Sequence, residues 1–217
     1  MRIALIHALP HSSGPTAEAF RRLWPDATLM NVLDDSLSVD LARDGALTPR
    51  MTDRFLALAR YAVATGADGI LFTCSAFGPS IEACAREFAP IPVLKPNEAM
   101  IEEAIALTGP SGRIGLMATF GPTLRSMPPE FAAAAPDLTV VPCLAEDALA
   151  ALDTGDFAGH DAAAVVAAEQ LADCPVIALS QFSLARAAGP IEAAAGKTVL
   201  TTPDSAVRKL QRLLKAA

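Results

Sequence analysis

The sequence predicts an α/β protein made of two pseudo-symmetric lobes, each a mostly parallel four-stranded sheet flanked by helices. Three observations carry this. Short aliphatic runs recur, each followed by a helical stretch, and strands buried on both faces read as such runs. The segment Gly109-Pro110-Ser111-Gly112 breaks the pattern. After it the pattern restarts: RIALIHALP from Arg2 lines up with RIGLMATFG from Arg113, and GILFTCS from Gly69 lines up with VIALSQF from Val176. The offsets are 111 (2 to 113) and 107 (69 to 176) positions. Strands of α/β proteins look alike, so the repeat rests on the two near-equal offsets together. The expected division is 1–108 for the first lobe and 109–202 for the second, with a C-terminal helix, 203–217, packing back on the first. Open parallel sheets bind ligands beyond the carboxyl ends of their strands. Two facing lobes would thus gather four strand ends around one active-site cleft.

Taken in order, Arg2–His7 is the first strand, followed by a loop with Ser12, Ser13 and Gly14 and a helix from about Thr16. Residues 27–32 form a second strand. A long amphipathic helix runs from Pro49 to Thr65, with Thr48 as its cap, Pro49 at the first helical position and Gly66 just past its end. Strand 69–73 precedes a helix over 75–88; strand 91–94 precedes a helix over 97–107. In the second half, strands are expected at 113–117, 138–141, 175–179 and 199–201, with a helix over 161–172. The last helix can be capped by Thr202 or Asp204, and Val207, Leu210, Leu213 and Leu214 give it one apolar stripe. Repeated β-then-α units imply sheets covered on both faces.

Bulk properties exclude some functions. The hydrophobic fraction is 52% and the charged fraction 19%, a globular balance with ample core material. The net charge is −7. Phosphate backbones are held by clustered Lys and Arg, so nucleic acid is not an expected partner. A small anion is still compatible, held by helix N-termini or hydroxyls. No apolar run approaches the roughly 18 residues that span a bilayer, so no membrane association is expected. MRIALIHALP reads as a first strand, not as a signal peptide. The four cysteines (Cys74, Cys84, Cys143, Cys174) form no CxxC pair, which suits reduced thiols in a cytoplasm. No nucleotide-binding glycine motif is present. His7 and His11 are separated by Pro10, which rules out a helical metal-binding pair. No metal and no cofactor are expected, and a homodimer is the base-rate expectation for assembly.

Cys74 is the leading candidate for chemistry. It ends an apolar strand and is followed by the small residues Ser75 and Ala76, which open a helix. A helix N-terminus favours thiolate, so the thiol pKa is expected to fall; the bland alternative is a structural cysteine. Cys84, Cys143 and Cys174 read as packing. Ser12 and Ser13 follow the first strand; Thr119, Gly121 and Thr123 follow its repeat. Such hydroxyls and free N–H groups suit a substrate carboxylate, though capping is the commoner role. Asn97 is a helix cap or a ligand. His7, at a strand end, either tunes the thiol or is a hydrogen-bonded core histidine.

The stretches ADGILFTCSAFGPSIEA, IPVLKPNEAMIEEA, GRIGLMATFGPTL and VIALSQFSLARAA occur in that order from Ala67 to Ala188. With the first strand, they resemble the aspartate/glutamate/hydantoin racemase superfamily, to which arylmalonate decarboxylases and maleate isomerases also belong. The resemblance implies two α/β lobes with the active site between them, neither pyridoxal phosphate nor metal, a small carboxylate substrate, and a cysteine at one strand end of each lobe. The first matches Cys74. The second falls on Gln181, whose amide is neither an acid nor a base near neutral pH but can hydrogen-bond a carboxylate. Two-thiol racemisation takes a proton on one face and returns it on the other, so a symmetrical cysteine-pair enzyme is disfavoured. In arylmalonate decarboxylases the working cysteine lies in the second lobe, whereas here it lies in the first. The expectations left open are a one-thiol racemase or isomerase, a decarboxylase, and a carboxylate-binding protein of the same fold.

Overall fold

The computed structural model describes residues 1–216, and all their side chains except that of His11. The chain forms two compact units: Met1–Ala99 with the C-terminal residues from Ala206, and Met100–Ser205.

The first unit holds β1 (Arg2–His7), α1 (Ser13–Leu23), β2 (Thr28–Leu33), α2 (Ser36–Asp44), α3 (Pro49–Ala64), β3 (Gly69–Phe72), α4 (Gly78–Glu87) and β4 (Val93–Leu94). Its four strands are parallel in the order β2-β1-β3-β4. Alternation of side chains along each strand sends Ile3, Leu5, Leu71 and Leu94 to one face, against Phe20 and Trp24 of α1 and Val207 and Leu210 near the C-terminus. Ala4, Ile6, Ile70 and Phe72 go to the other face, against Phe55 and Ala59 of α3 and Ile81 of α4. The start of α3 matches the sequence reading: the Thr48 hydroxyl accepts from Met51 N at 3.3 Å, and Gly66 takes φ +83° beyond the helix end.

The second unit repeats the plan. Helix α5 (Glu98–Thr108) leads into β5 (Arg113–Ala118), α6 (Gly121–Ala134), β6 (Thr139–Leu144), α7 (Glu146–Asp153), α8 (Phe157–Ala168), β7 (Val176–Leu179), α9 (Ala188–Ala195) and β8 (Thr198–Thr201). The order β6-β5-β7-β8 is the first sheet's order again. The register repeats as well. Arg2 pairs with Thr28 and Arg113 with Thr139; Ile3 pairs with Gly69 and Ile114 with Val176. These are the same offsets of 111 and 107 that the sequence displays.

Several elements depart from expectation. The unit boundary falls inside α5, not at Gly109–Gly112, because Met100, Ile101 and Ala104 pack with Ile114 and Leu116 of the second sheet. Helix α1 starts at Ser13, three residues before Thr16. The helix expected at 161–172 spans Phe157–Ala168, its start capped by Asp156 on Gly159 N at 2.8 Å. At the final helix, α10 (Thr202–Lys215), the residue in the N-cap position is Thr201, one before Thr202. Thr201 Oγ1 accepts from Asp204 N at 3.2 Å, while the Thr202 hydroxyl donates to Leu179 O. Helices α2, α6, α7 and α9 have no counterpart in the sequence reading. Pro128 and Pro129 lie inside α6, and Gly189 and Pro190 lie in the first turn of α9, where the pattern signals a break.

Candidate active site

Cys74 stands one residue beyond Thr73 at the carboxyl end of β3, in extended backbone (φ −128°, ψ 118°), and the chain then tightens into a 3-10 turn over Ser75–Phe77. The thiol is half-buried and the other three cysteines are buried. Ser75 and Ala76 are exposed, so the approach to the sulfur is bounded by small side chains. Beneath it lies an apolar crevice formed by Ile6, Ala8, Leu37, Phe55 and Phe72, with His7 at its edge.

This setting reverses the expected effect on the thiol. Burial pushes the Cys74 pKa above its ordinary value, and the backbone N–H of Ala76 draws it down only in part. Helix α4 begins at Gly78, a full 3-10 turn beyond Cys74, and helix-terminus fields fall off within about one turn. Cys84 is raised further, to about 11, by burial and by the charge of Glu87.

His7 is buried and both ring nitrogens are engaged: Nδ1 lies 2.9 Å from Thr73 Oγ1 and Nε2 lies 3.0 Å from Asn31 Oδ1. Burial lowers its pKa against an opposing pull from Asn31. A neutral imidazole donating from Nε2 to Asn31 and accepting at Nδ1 from Thr73 satisfies every partner. His7 therefore does not touch the thiol; it touches the residue before it. Neither Asn31 nor Thr73 carries a sequence signal, because only strand pairing places β2 and β3 on either side of β1. On the same side of the sheet, His7, Asn31, Ser13 and Gly14 line a pocket of about 360 Å³ closed by Pro10, Ala17 and Leu33.

The loop hydroxyls have local partners. Ser13 Oγ donates to Pro10 O at 2.8 Å, and Ser12, buried, makes no capping bond for α1. Asn97 is buried immediately before α5.

The second unit shows the matching strand end. Gln181 is half-buried, and its Oε1 accepts from Thr119 N at 2.6 Å and from the Thr119 hydroxyl at 3.0 Å. Both donors of Thr119 are thus turned to Gln181 and not outward. The Gln181 amide NH2 has no hydrogen-bond partner among the described residues. Gly121 opens α6 and Thr123 sits in its first turn, with Thr123 N donating to Phe120 O. Ser180, beside Gln181, donates to Met117 O at 2.8 Å.

Solved structures share this arrangement of strands and helices. An aspartate racemase homologue from Pyrococcus horikoshii superposes with a TM-score of 0.73 at 14% identity, over 99% of this chain and 99% of that one. Allantoin racemase from Klebsiella pneumoniae gives 0.70 at 18%, over 100% and 88%. A glycine-to-cysteine variant of arylmalonate decarboxylase in its sulfate-associated form gives 0.71 at 20%, over 100% and 94%. The chain therefore shares its fold with these racemases and with arylmalonate decarboxylase. No protein-family model matches the chain, and no curated protein does. The described residues hold no cluster of His, Cys, Asp and Glu able to bind a metal. None of their helices is long and apolar enough to cross a membrane.

Proposed function

We propose that this chain is a cofactor-independent enzyme of the racemase superfamily that acts on a small carboxylate, with Cys74 as its single proton-carrying thiol. The observation that carries the reading is the asymmetry of the strand ends: an accessible thiol after β3, and after β7 an amide whose carbonyl is already held by Thr119. That hold orients the Gln181 NH2 as a donor, suited to a carboxylate or carbonyl oxygen and unsuited to proton transfer.

The raised thiol pKa favours one branch of this reading. A thiol that is protonated at rest gives a proton more readily than it takes one. In a malonate-type substrate the bond from Cα to one carboxyl would break, carbon dioxide would leave, and the electron pair would remain as an enediolate. Cys74 would then transfer its proton to Cα, and water would reprotonate the thiolate. A decarboxylase is therefore the second reading, and the solved arylmalonate decarboxylase of the same fold supports weighing it.

The test is turnover of aspartate, glutamate, hydantoins, maleate and arylmalonates, with deuterium incorporation from solvent followed at Cα. Incorporation on one face only, lost in Cys74→Ser, is the expected result. Incorporation on both faces would contradict a single thiol. Tight binding of a dicarboxylate with no turnover by any substrate would replace the enzyme by a carboxylate-binding protein.

A further inference from the structure

The hydrogen bonds that meet at His7 are not needed to hold the sheet together. Thr73 N donates to Ile6 O at 3.1 Å, and the equivalent Ser180 N donates to Met117 O at 3.0 Å, so the backbone at both strand ends is alike. In the second unit the positions matching His7 and Asn31 are Ala118 and Pro142, and the Ser180 hydroxyl simply returns to Met117 O at 2.8 Å. A strand end of this kind thus folds with alanine in place of histidine. In the first unit the Thr73 hydroxyl lies 3.5 Å from the corresponding carbonyl, Ile6 O, and 2.9 Å from His7 Nδ1. The hydroxyl thus lies nearer the imidazole than the carbonyl. Burying an imidazole costs desolvation that an alanine avoids, and the return on that cost lies one residue further along, at Cys74.

The structure assigns His7 a positioning role: anchored by Asn31, it holds the Thr73 hydroxyl through Nδ1 and so fixes the turn on which Cys74 is presented. This rests on the reading of Cys74 as the working thiol only for its purpose, since the geometry can be tested without a substrate. The backbone N–H of Ala76 belongs to the same turn and acts against burial to favour the thiolate, so its aim on the sulfur follows the turn. Of the groups near the ring, β2 contributes Asn31, the segment after β3 Thr73 and Cys74, and α1 Ser13 and Ala17. The nearby acid, Asp34, is bound to Arg54 and Ser36.

The experiment is the rate of carbamidomethylation of Cys74 as a function of pH, read by peptide mass spectrometry, with thermal melting in parallel. Asparagine places an acceptor near the position of Nδ1, and glutamine places one near Nε2. His7→Gln and Thr73→Val are therefore expected to slow Cys74 by about threefold at pH 8 and to move its profile to higher pH, because less thiolate is present. His7→Asn and Thr73→Ser are expected to stay close to the parent. Asn31→Ala, at an exposed position, should act in the direction of His7→Gln with a smaller effect. An unmoved Cys74 profile in His7→Gln and Thr73→Val, with melting alone lowered, would make His7 a packing residue and overturn the assignment. So would a folded His7→Asn that behaves as His7→Gln does. If the His7 variants do not fold, Asn31→Ala decides, and an unmoved profile there counts against the proposal. A parent chain inert toward every carboxylate, yet with Cys74 reactivity governed by His7, would remove the proposed function and leave this assignment standing.

Discussion

The carboxyl ends of β3 and β7 are two versions of one design. Each strand is hydrogen-bonded on both sides in the same register, and each is followed by a polar residue whose N–H returns to the neighbouring strand. Besides the exchanges of His7 for Ala118 and Cys74 for Gln181, they differ in the side chain one step beyond β1 and its repeat. Ala8 lines the crevice under Cys74 with a methyl group, whereas the equivalent Thr119 offers two donors, and both bind Gln181. The comparison teaches that the backbone supplies a position and the adjacent loop decides its chemistry. An apolar neighbour leaves a thiol with a raised pKa; a hydroxylic neighbour fixes an amide.

The comparison can be broken most sharply by removing the thiol. Cys74→Ser should abolish turnover of any substrate found in the carboxylate panel, a fall of at least about a thousandfold given how poorly an unassisted alcohol transfers protons, while Gln181→Leu should weaken substrate binding more than it slows the chemical step. Equal losses of rate in both would put the two strand ends on the same footing. The next largest effect is on stability. Gly115, which matches Ala4 in the first sheet, has no room for a methyl: a Cβ there would lie 2.7 Å from Leu171 Cδ1 and 3.1 Å from its Cγ. Gly115→Ala is expected to lower the unfolding free energy by about 1–3 kcal/mol, read by urea denaturation.

How much of this could be read from residues alone depended on the range of the interaction. Strand positions, their repeat and Cys74 were legible, since aliphatic runs and small flanking residues are local signals. The roles of Asn31, Thr73 and Thr119 were not, because each acts across a strand pairing 24 to 66 positions away along the chain. The sign of the Cys74 pKa shift was misread for a related reason. The local signal, a strand turning into a helix, suggests a favourable dipole. The opposing crevice is built from Leu37 and Phe55, which arrive from distant helices.

A third prediction sharpens that correction. Alkylation of Cys74 should still be accelerating at pH 9, with Cys84 unreactive until far more alkaline solution; saturation of Cys74 below pH 8 would restore the activated thiolate. The smallest effect concerns Arg54, which binds Asp34 and Asp40 at 2.5 Å each. Partial burial pushes Asp34 up, but hydrogen bonds from Ser36 and Arg54 outweigh it and hold the carboxyl below its usual range. A depressed folded pKa contributes stability that is present above the unfolded value, near 4, and is lost as pH falls through the folded one. Arg54→Met should therefore cost about 1 kcal/mol at pH 7, discounted for partial exposure, and should flatten the acid limb of a stability–pH curve. An unchanged acid limb would assign that dependence to other carboxylates.

The last helix carries a consequence for the order in which the chain can acquire its structure. The second unit is drawn from one uninterrupted stretch, Met100–Ser205, whereas the first unit's core includes Val207 and Leu210 packed on Ile3 and Leu5. Domains commonly mature in the order in which they are synthesised. Here the amino-terminal sheet waits, one face covered by α1 alone, until α10 leaves the ribosome, while the later half can close first.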